Sequence, residues 1–256
     1  MSISVRYKAA LKAASFHFGV SVGVALLAAA LVFGVWYPYP YRELAGGRDL
    51  FLLIVVVDVV CGPLLTMVMF NPKKPRWELT MDLGIVATIQ VAALFYGVYT
   101  LAMARPIYLV FEVDRFRVVS VADVQEGELK PELGGLHRVP WWGPKTIGVR
   151  TSRDGEETLK SLELSLQGNE PSARPDWWVP YEENRDQAKS RAQSIDVLRQ
   201  KHPAQQNLLE MAIQETGRKE SDLKWLPLTG FKSSEWVALV DAVTADVVGF
   251  APIDGF

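Results

Sequence analysis

Ala104-Arg105-Pro106-Ile107-Tyr108-Leu109-Val110-Phe111-Glu112-Val113-Asp114-Arg115-Phe116-Arg117-Val118-Val119 is the stretch that decides how this chain folds. Upstream of it, long apolar runs alternate with short polar loops; downstream, no run approaches membrane-spanning length. Tyr108, Val110 and Val113 are aromatic or β-branched types that favour strands, and Phe116, Val118 and Val119 repeat the bias beyond Asp114-Arg115. A membrane helix is therefore expected to end near Ala104, with Pro106 marking the change of structure. This divides the chain into an anchor, residues 1–104, and a head, residues 105–256, entered strand-first.

Three spans are predicted in the anchor, at about residues 18–37, 50–70 and 83–104. Between Ala13 and Tyr41 there is no Asp, Glu, Lys or Arg, and the apolar run exceeds the roughly 20 residues needed to cross hydrocarbon. A cleaved signal peptide is the rival reading, because Arg6, Lys8 and Lys12 form a basic start. Against it stand the length of the run and its ending. Trp36-Tyr37-Pro38-Tyr39-Pro40-Tyr41 reads as an interfacial aromatic belt, with no small-residue cleavage site. Arg6, Lys8 and Lys12 precede span one, and Lys73, Lys74 and Arg76 lie between spans two and three. Only Arg42 and Arg48 separate spans one and two. This bias predicts a cytoplasmic amino terminus and a head on the opposite side.

The 256 residues suffice for an anchor and one compact domain. The net charge of −2 hides an asymmetry: residues 1–104 carry eight Lys/Arg against five Asp/Glu, the remainder nineteen against twenty-four. An acidic head is a poor match for nucleic acid. The single Cys61 permits no intrachain disulfide.

Asp58 is the one formal charge in mid-span, and such residues are costly enough to suggest function. It lies roughly 18 Å inside Phe70, and Gln90 roughly 12 Å beyond Asp82, at 1.5 Å per residue. The simpler reading has the Asp58 carboxyl bonding Gln90, Thr88 or Thr66 to fix helix packing. The alternative is a functional relay, for which no row of further carboxylates or histidines lines up. Gly62-Pro63 is expected to kink the same helix.

The head reads as α+β. Residues 121–144 form a loop with a short helix, Lys145–Thr151 a strand, and Asp154 caps a helix through Leu166. Pro171–Tyr181 is irregular. One helix is expected over Asn184–Lys201, another over Pro203–Thr216 before Gly217, and a closing strand pair over Trp236–Asp241 and Val247–Pro252. His137 and His202 are isolated and His17 reads as an interfacial packing residue. No H-E-x-x-H, G-x-S-x-G, P-loop or C-x-x-C pattern occurs, so no metal, cofactor or catalytic residue is expected. Trp141, Trp142, Trp177, Trp178 and Tyr181, beside prolines, are the candidate binding surface of the head. The competing reading is core or membrane-interface packing, with one Trp of each pair inward if the segment is extended.

Arg105–Val119 resembles the signature segment of the type IV pilin accessory proteins, the TfpX/TfpZ group. The likeness extends to Trp36-Tyr37-Pro38, Gly46–Phe51, Val57–Thr66, Phe70–Pro75, Arg174–Tyr181, Leu226-Pro227-Leu228 and the terminal hairpin. The resemblance implies a bacterial inner-membrane protein whose head faces the periplasm, so the fold expected is three transmembrane helices followed by a mixed α/β periplasmic domain with antiparallel strands. It further implies a non-enzymatic factor that binds the major type IV pilin and helps it reach the pilus. Asp58 and Gln90 then become candidate contacts in the lipid bilayer, because such pilins carry an acidic residue and a free amino terminus near the start of one hydrophobic helix. The alternative is a membrane-bound enzyme acting on pilin or its glycan, which needs clustered acid and base groups; a weaker reading is a sensor of envelope state.

The Lys/Arg distribution sets a first test. A reporter active only in the periplasm is expected to be active when fused after Phe256 and silent when fused after Lys74. The opposite pattern would reverse the topology.

Overall fold

The computed structural model describes residues 3–124, 129–130, 135–136 and 138–256. His137 and much of the loop-and-helix segment expected over 121–144 lie outside the described residues. The chain divides into two units: residues 1–37 with 47–103, and residues 38–46 with 104–256.

The first unit holds three helices long and apolar enough to cross a membrane, over Arg6–Trp36, Gly47–Met69 and Arg76–Ala104. Helix α1 (Ile3–Leu31) continues through a π turn at Val32–Trp36. The second span joins α3 (Gly47–Val55), a π turn at Val56–Cys61 and α4 (Gly62–Met69), and the third is α5 (Arg76–Ala104). Helix α5 begins earlier than its apolar run, at Arg76, with Lys74 and Asp82 ion-paired across its polar first turns. The Tyr37 hydroxyl donates to the Leu101 carbonyl at 2.9 Å, and Phe33 meets Phe51 edge-on at 5.0 Å. Leu, Val and Phe side chains elsewhere on these helices face outward, as lipid solvation allows.

The second unit is built on an eight-stranded sheet with path β4-β3-β1-β2-β6-β7-β8, β5 pairing β6. Strand β1 (Pro106–Glu112) starts at the Pro106 that marks the change of structure in the sequence and pairs antiparallel with β2 (Arg115–Ser120), while Val113, read as strand-forming, falls in the turn between them. Strand β3 (Lys145–Val149) runs parallel to β1 and antiparallel to β4 (Trp178–Pro180). Beyond β2 lies β6 (Leu223–Thr229), parallel to it, then β7 (Trp236–Asp241) and β8 (Val247–Ala251), both antiparallel to their neighbours. Helix α6 (Gly155–Leu166) forms where expected, with the Asp154 carboxylate accepting from the Glu157 amide.

Four expectations change. First, residues 38–46 belong with the head. The short helix α2 (Tyr41–Leu44) buries Tyr41 and Leu44 in one core with Phe111, Phe116, Leu226 and Trp236. Lys232 N donates to the Leu44 carbonyl at 3.0 Å. Residues three apart on a helix share a face, so one turn delivers both side chains. The predicted belt is mostly buried: Trp36, Tyr37 and Tyr41 are buried and Tyr39 is exposed. Second, Pro171–Tyr181 contains two 3₁₀ turns and β4. Third, the helix expected over Asn184–Lys201 is two helices, α7 (Arg185–Arg191) and α8 (Ile195–Lys201), separated by β5 (Gln193–Ser194). The break lets the Ser194 carbonyl accept from the indole of fully buried Trp225 at 3.0 Å. Fourth, β6 forms over Leu223–Thr229, a segment for which the sequence reading names no element, and it contains Pro227. Pairing on one edge of β6 switches from β5, at Lys224 and Trp225, to β2, at Leu228 and Thr229, across Leu226-Pro227. A proline lacks a ladder donor and is tolerated at such a switch.

Helices α8 and α9 (Gln206–Thr216) cover one face of β6 and β7 through Leu198, Leu209 and Ile213. Gly217 ends α9 at φ +66, the left-handed cap that the sequence predicts. The β1–β2 turn is less comfortable. Val113 sits at φ +59, where a β-branched residue is strained, and Asp114 N donates to the Glu112 carbonyl at 2.6 Å. The left-handed region costs such a residue about 1–2 kcal/mol; glycine removes that but loses about 0.5–1 kcal/mol of entropy. Val113→Gly is therefore expected to stabilise the protein by up to about 1.5 kcal/mol. Thermal unfolding of the full chain in detergent would show a raised midpoint; a lowered one would mean that the valine is needed for contact.

Candidate functional site

In the first unit, the candidate site surrounds Asp58. The residue lies within the π turn at Val56–Cys61 and is 8% exposed. A π turn pairs the carbonyl of residue i with the N–H of residue i+5. For Asp58 that residue is Pro63, which has none. Gln90 supplies the donor instead, its Nε2 reaching the Asp58 backbone carbonyl at 3.2 Å. Gly62 makes this possible, because a Cβ there would overlap the Gln90 amide. Gly62-Pro63 thus admits a neighbouring side chain as well as closing the π turn.

The expected bonding of the Asp58 carboxyl is not what the structure contains. Gln90 bonds the main chain, Thr88 donates to the Gly84 carbonyl of its own helix, and Thr66 pairs with His17 Nδ1 at 2.6 Å. Each polar side chain has satisfied a nearer need. Asp58 Oδ1 and Gln90 Oε1 are both buried with no partner among the described residues. The two residues border one groove of about 210 Å³ with His17, Ser21, Val24 and Leu94, and Asp58 also borders a second, of about 200 Å³, with Ile54, Val57 and Tyr96. Apolar walls around two unmet acceptors favour a guest that is apolar in body and carries a donor or cation at that depth. His17, read from sequence as interfacial, instead joins α1 to α4. The missed signal is Ser21, one turn beyond it and buried.

In the second unit the tryptophan pairs separate completely. Trp177 and Trp178 are 6% and 5% exposed. Arg150 and Arg174 lie over the Trp177 ring at 4.4 and 4.6 Å. Trp178 Nε1 donates to the Ser172 carbonyl at 2.9 Å, and its ring meets Tyr108 edge-on at 4.8 Å. Tyr181 is buried too, its hydroxyl donating to the Ala245 carbonyl at 2.6 Å and held above its ordinary pKa by burial. These three are core residues. Both members of a pair face inward because Trp177 closes a 3₁₀ turn and Trp178 starts a strand, so strand alternation does not apply between them. Trp141 and Trp142 are 66% and 76% exposed in a loop of bends.

A polar cleft of about 910 Å³ adjoins α6, lined by Asp154, Glu156, Glu157, Lys160 and Asp176 among others. Glu157 is committed there. Its carboxylate accepts from both terminal nitrogens of Arg150 at 2.7 and 2.9 Å and from Arg153 N at 2.6 Å. The Arg150 bonds first, then the Arg153 amide, lower its pKa from 4.5 to about 2. A carboxylate held ionised that strongly is a structural anchor, not a proton donor near neutrality.

Compared with known proteins, residues 5–46 match the family model "Fimbrial assembly protein FimB". Two proteins of Dichelobacter nodosus, the fimbrial assembly proteins of serogroups I and E1, are each 36% identical over 255 residues, 98% of this chain and of each relative. The fimbrial assembly protein of serogroups C1 and C2 from the same organism is 44% identical over 124 residues, 48% of this chain and 95% of the relative. No solved structure matches.

Because its folded pKa is depressed, Glu157 stabilises the fold above about 4.5 and ceases to as pH falls through about 2. Glu157→Gln is expected to lower the thermal midpoint of the detergent-solubilised chain at neutral pH and to converge on wild type across that acidic window. A midpoint difference independent of pH would remove the ion pair as its cause.

Proposed function

The chain belongs to the family of fimbrial assembly proteins, and on that premise we propose that it is a non-enzymatic accessory factor of the bacterial inner membrane. It binds the major type IV pilin and promotes its stability or entry into the pilus, with the head in the periplasm. The observation that carries this reading is the pair of unmet acceptors, Asp58 Oδ1 and Gln90 Oε1, beside one intramembrane groove. A buried polar group without a partner costs about 1–3 kcal/mol, and a partner helix bearing a cation at that depth offsets the cost. The resemblance to pilin accessory proteins supplies such a helix, since their pilins present a free amino terminus near its start. The apolar groove walls suit its hydrophobic body.

Substitution separates this role from a packing role. Asp58→Asn keeps volume and hydrogen-bonding capacity but removes the charge. It is expected to leave protein level and thermal midpoint unchanged while pilin co-purification and pilus number fall. Asp58→Leu is expected to act likewise with protein level preserved, because no described residue bonds the carboxyl oxygen Oδ1 that it removes. Normal piliation in both variants would exclude Asp58 as a pilin contact; a loss of protein level in Asp58→Leu alone would return it to packing.

A further inference from the structure

The exposed pair Trp141 and Trp142 is used by nothing so far described. Two bulky indoles side by side in water are unusual for a surface with no partner. Their loop is stiffened by Pro140 and Pro144 and turns at Gly143, whose φ is +48. Its neighbours within the second unit are telling. Gly143 lies against Pro38, 3.8 Å from a Cβ position to the proline ring, and the Arg105 guanidinium lies 5.2 Å from the Trp141 ring. Pro38 is two residues beyond the end of the first apolar helix, Trp36, and Arg105 follows Ala104, the last residue of the third. The loop therefore lies beside both points at which chain leaves an apolar helix for this unit.

We propose that the Trp141-Trp142 loop is a membrane anchor of the head, with both indoles in the headgroup layer of the bilayer that the three apolar helices cross. Tryptophan favours that layer, because its ring is largely apolar and its N–H finds acceptors there. The charge around the loop fits an anionic surface: Arg138 and Lys145 flank it in sequence and are exposed. The belt predicted at Trp36–Tyr41 is mostly buried, so this loop supplies interfacial aromatic surface from the head. The anchor limits how far the head can tilt or lift from the surface. It involves neither Asp58 nor pilin, so its failure would leave the intramembrane reading standing.

The test uses the full chain carrying Cys61→Ser, in liposomes of phosphatidylethanolamine and phosphatidylglycerol. A nitroxide is attached at Trp142→Cys, with reference labels at Leu166→Cys and Val243→Cys, both exposed positions. The ratio of oxygen to nickel-chelate collisions at 142 is expected to exceed both references severalfold. Equal ratios would overturn the proposal, as would protection that appears only when purified pilin is added, since that marks a protein contact. A second measurement leaves the fold unlabelled. Lipids brominated near the headgroup are expected to quench wild-type tryptophan fluorescence more than that of the Trp141→Ala, Trp142→Ala double variant. Equal fractional quenching would likewise sink the anchor.

Discussion

Strand β1 carries apolar side chains on both faces, and that double burial organises the head. Leu109 and Phe111 enter the core shared with Phe116, Leu226 and Tyr181; Tyr108 and Val110 enter the one shared with Ile147 and Trp178. A strand buried on both sides needs cover on both sides. One cover includes α2, drawn from the loop between the first two apolar helices, and the other includes the turns before β4. Tyr108 shows the consequence: burial pushes its hydroxyl up to about 12, and it donates to the Leu136 carbonyl at 3.1 Å.

Hydrocarbon imposes the corresponding rule on the first unit. Every backbone carbonyl there needs a donor from protein, because no water is present to supply one. Pro63 removes the donor that the π register requires, and Gln90 replaces it through the gap left by Gly62. Satisfying the main chain takes precedence and uses the amide that could have met the Asp58 carboxyl. The open carboxyl is therefore a product of the same geometry that holds the helices together.

Much of this was legible in the sequence because it rests on local chemistry. Ala104-Arg105-Pro106 marks the helix-to-strand change, Asp154 caps α6, and Gly217 closes α9. What was missed depends on long-range pairing. β6 contains Pro227, and only the switch of neighbours from β5 to β2 makes the proline acceptable. The break at Ala192 answers to Trp225, more than thirty residues away. The place of residues 38–46 was hidden for the same reason: Tyr41 and Leu44 read as loop because their core partners lie in strands that begin at residue 106 and beyond. At the candidate site, Asp58 and Gln90 were identifiable as rare polar residues in apolar runs, but which atom of Asp58 the amide would meet was not, since the π turn decides it.

The aromatic residues make the general point about partner surfaces. Trp141, Trp142, Trp177 and Trp178 are equivalent in composition and in their proline-rich settings. They differ in whether the chain has already satisfied them. Trp178 and Tyr181 spend their donors on Ser172 and Ala245, and the Trp177 ring packs against the guanidinium groups of Arg150 and Arg174. A group so engaged contributes to the fold and has little left to offer a second molecule. Exposure at Trp141 and Trp142, and the unmet Oδ1 of Asp58, are the complementary condition. Each is costly for an isolated chain, and the two proposals assign each a different neighbour, one at the lipid surface and one within the bilayer.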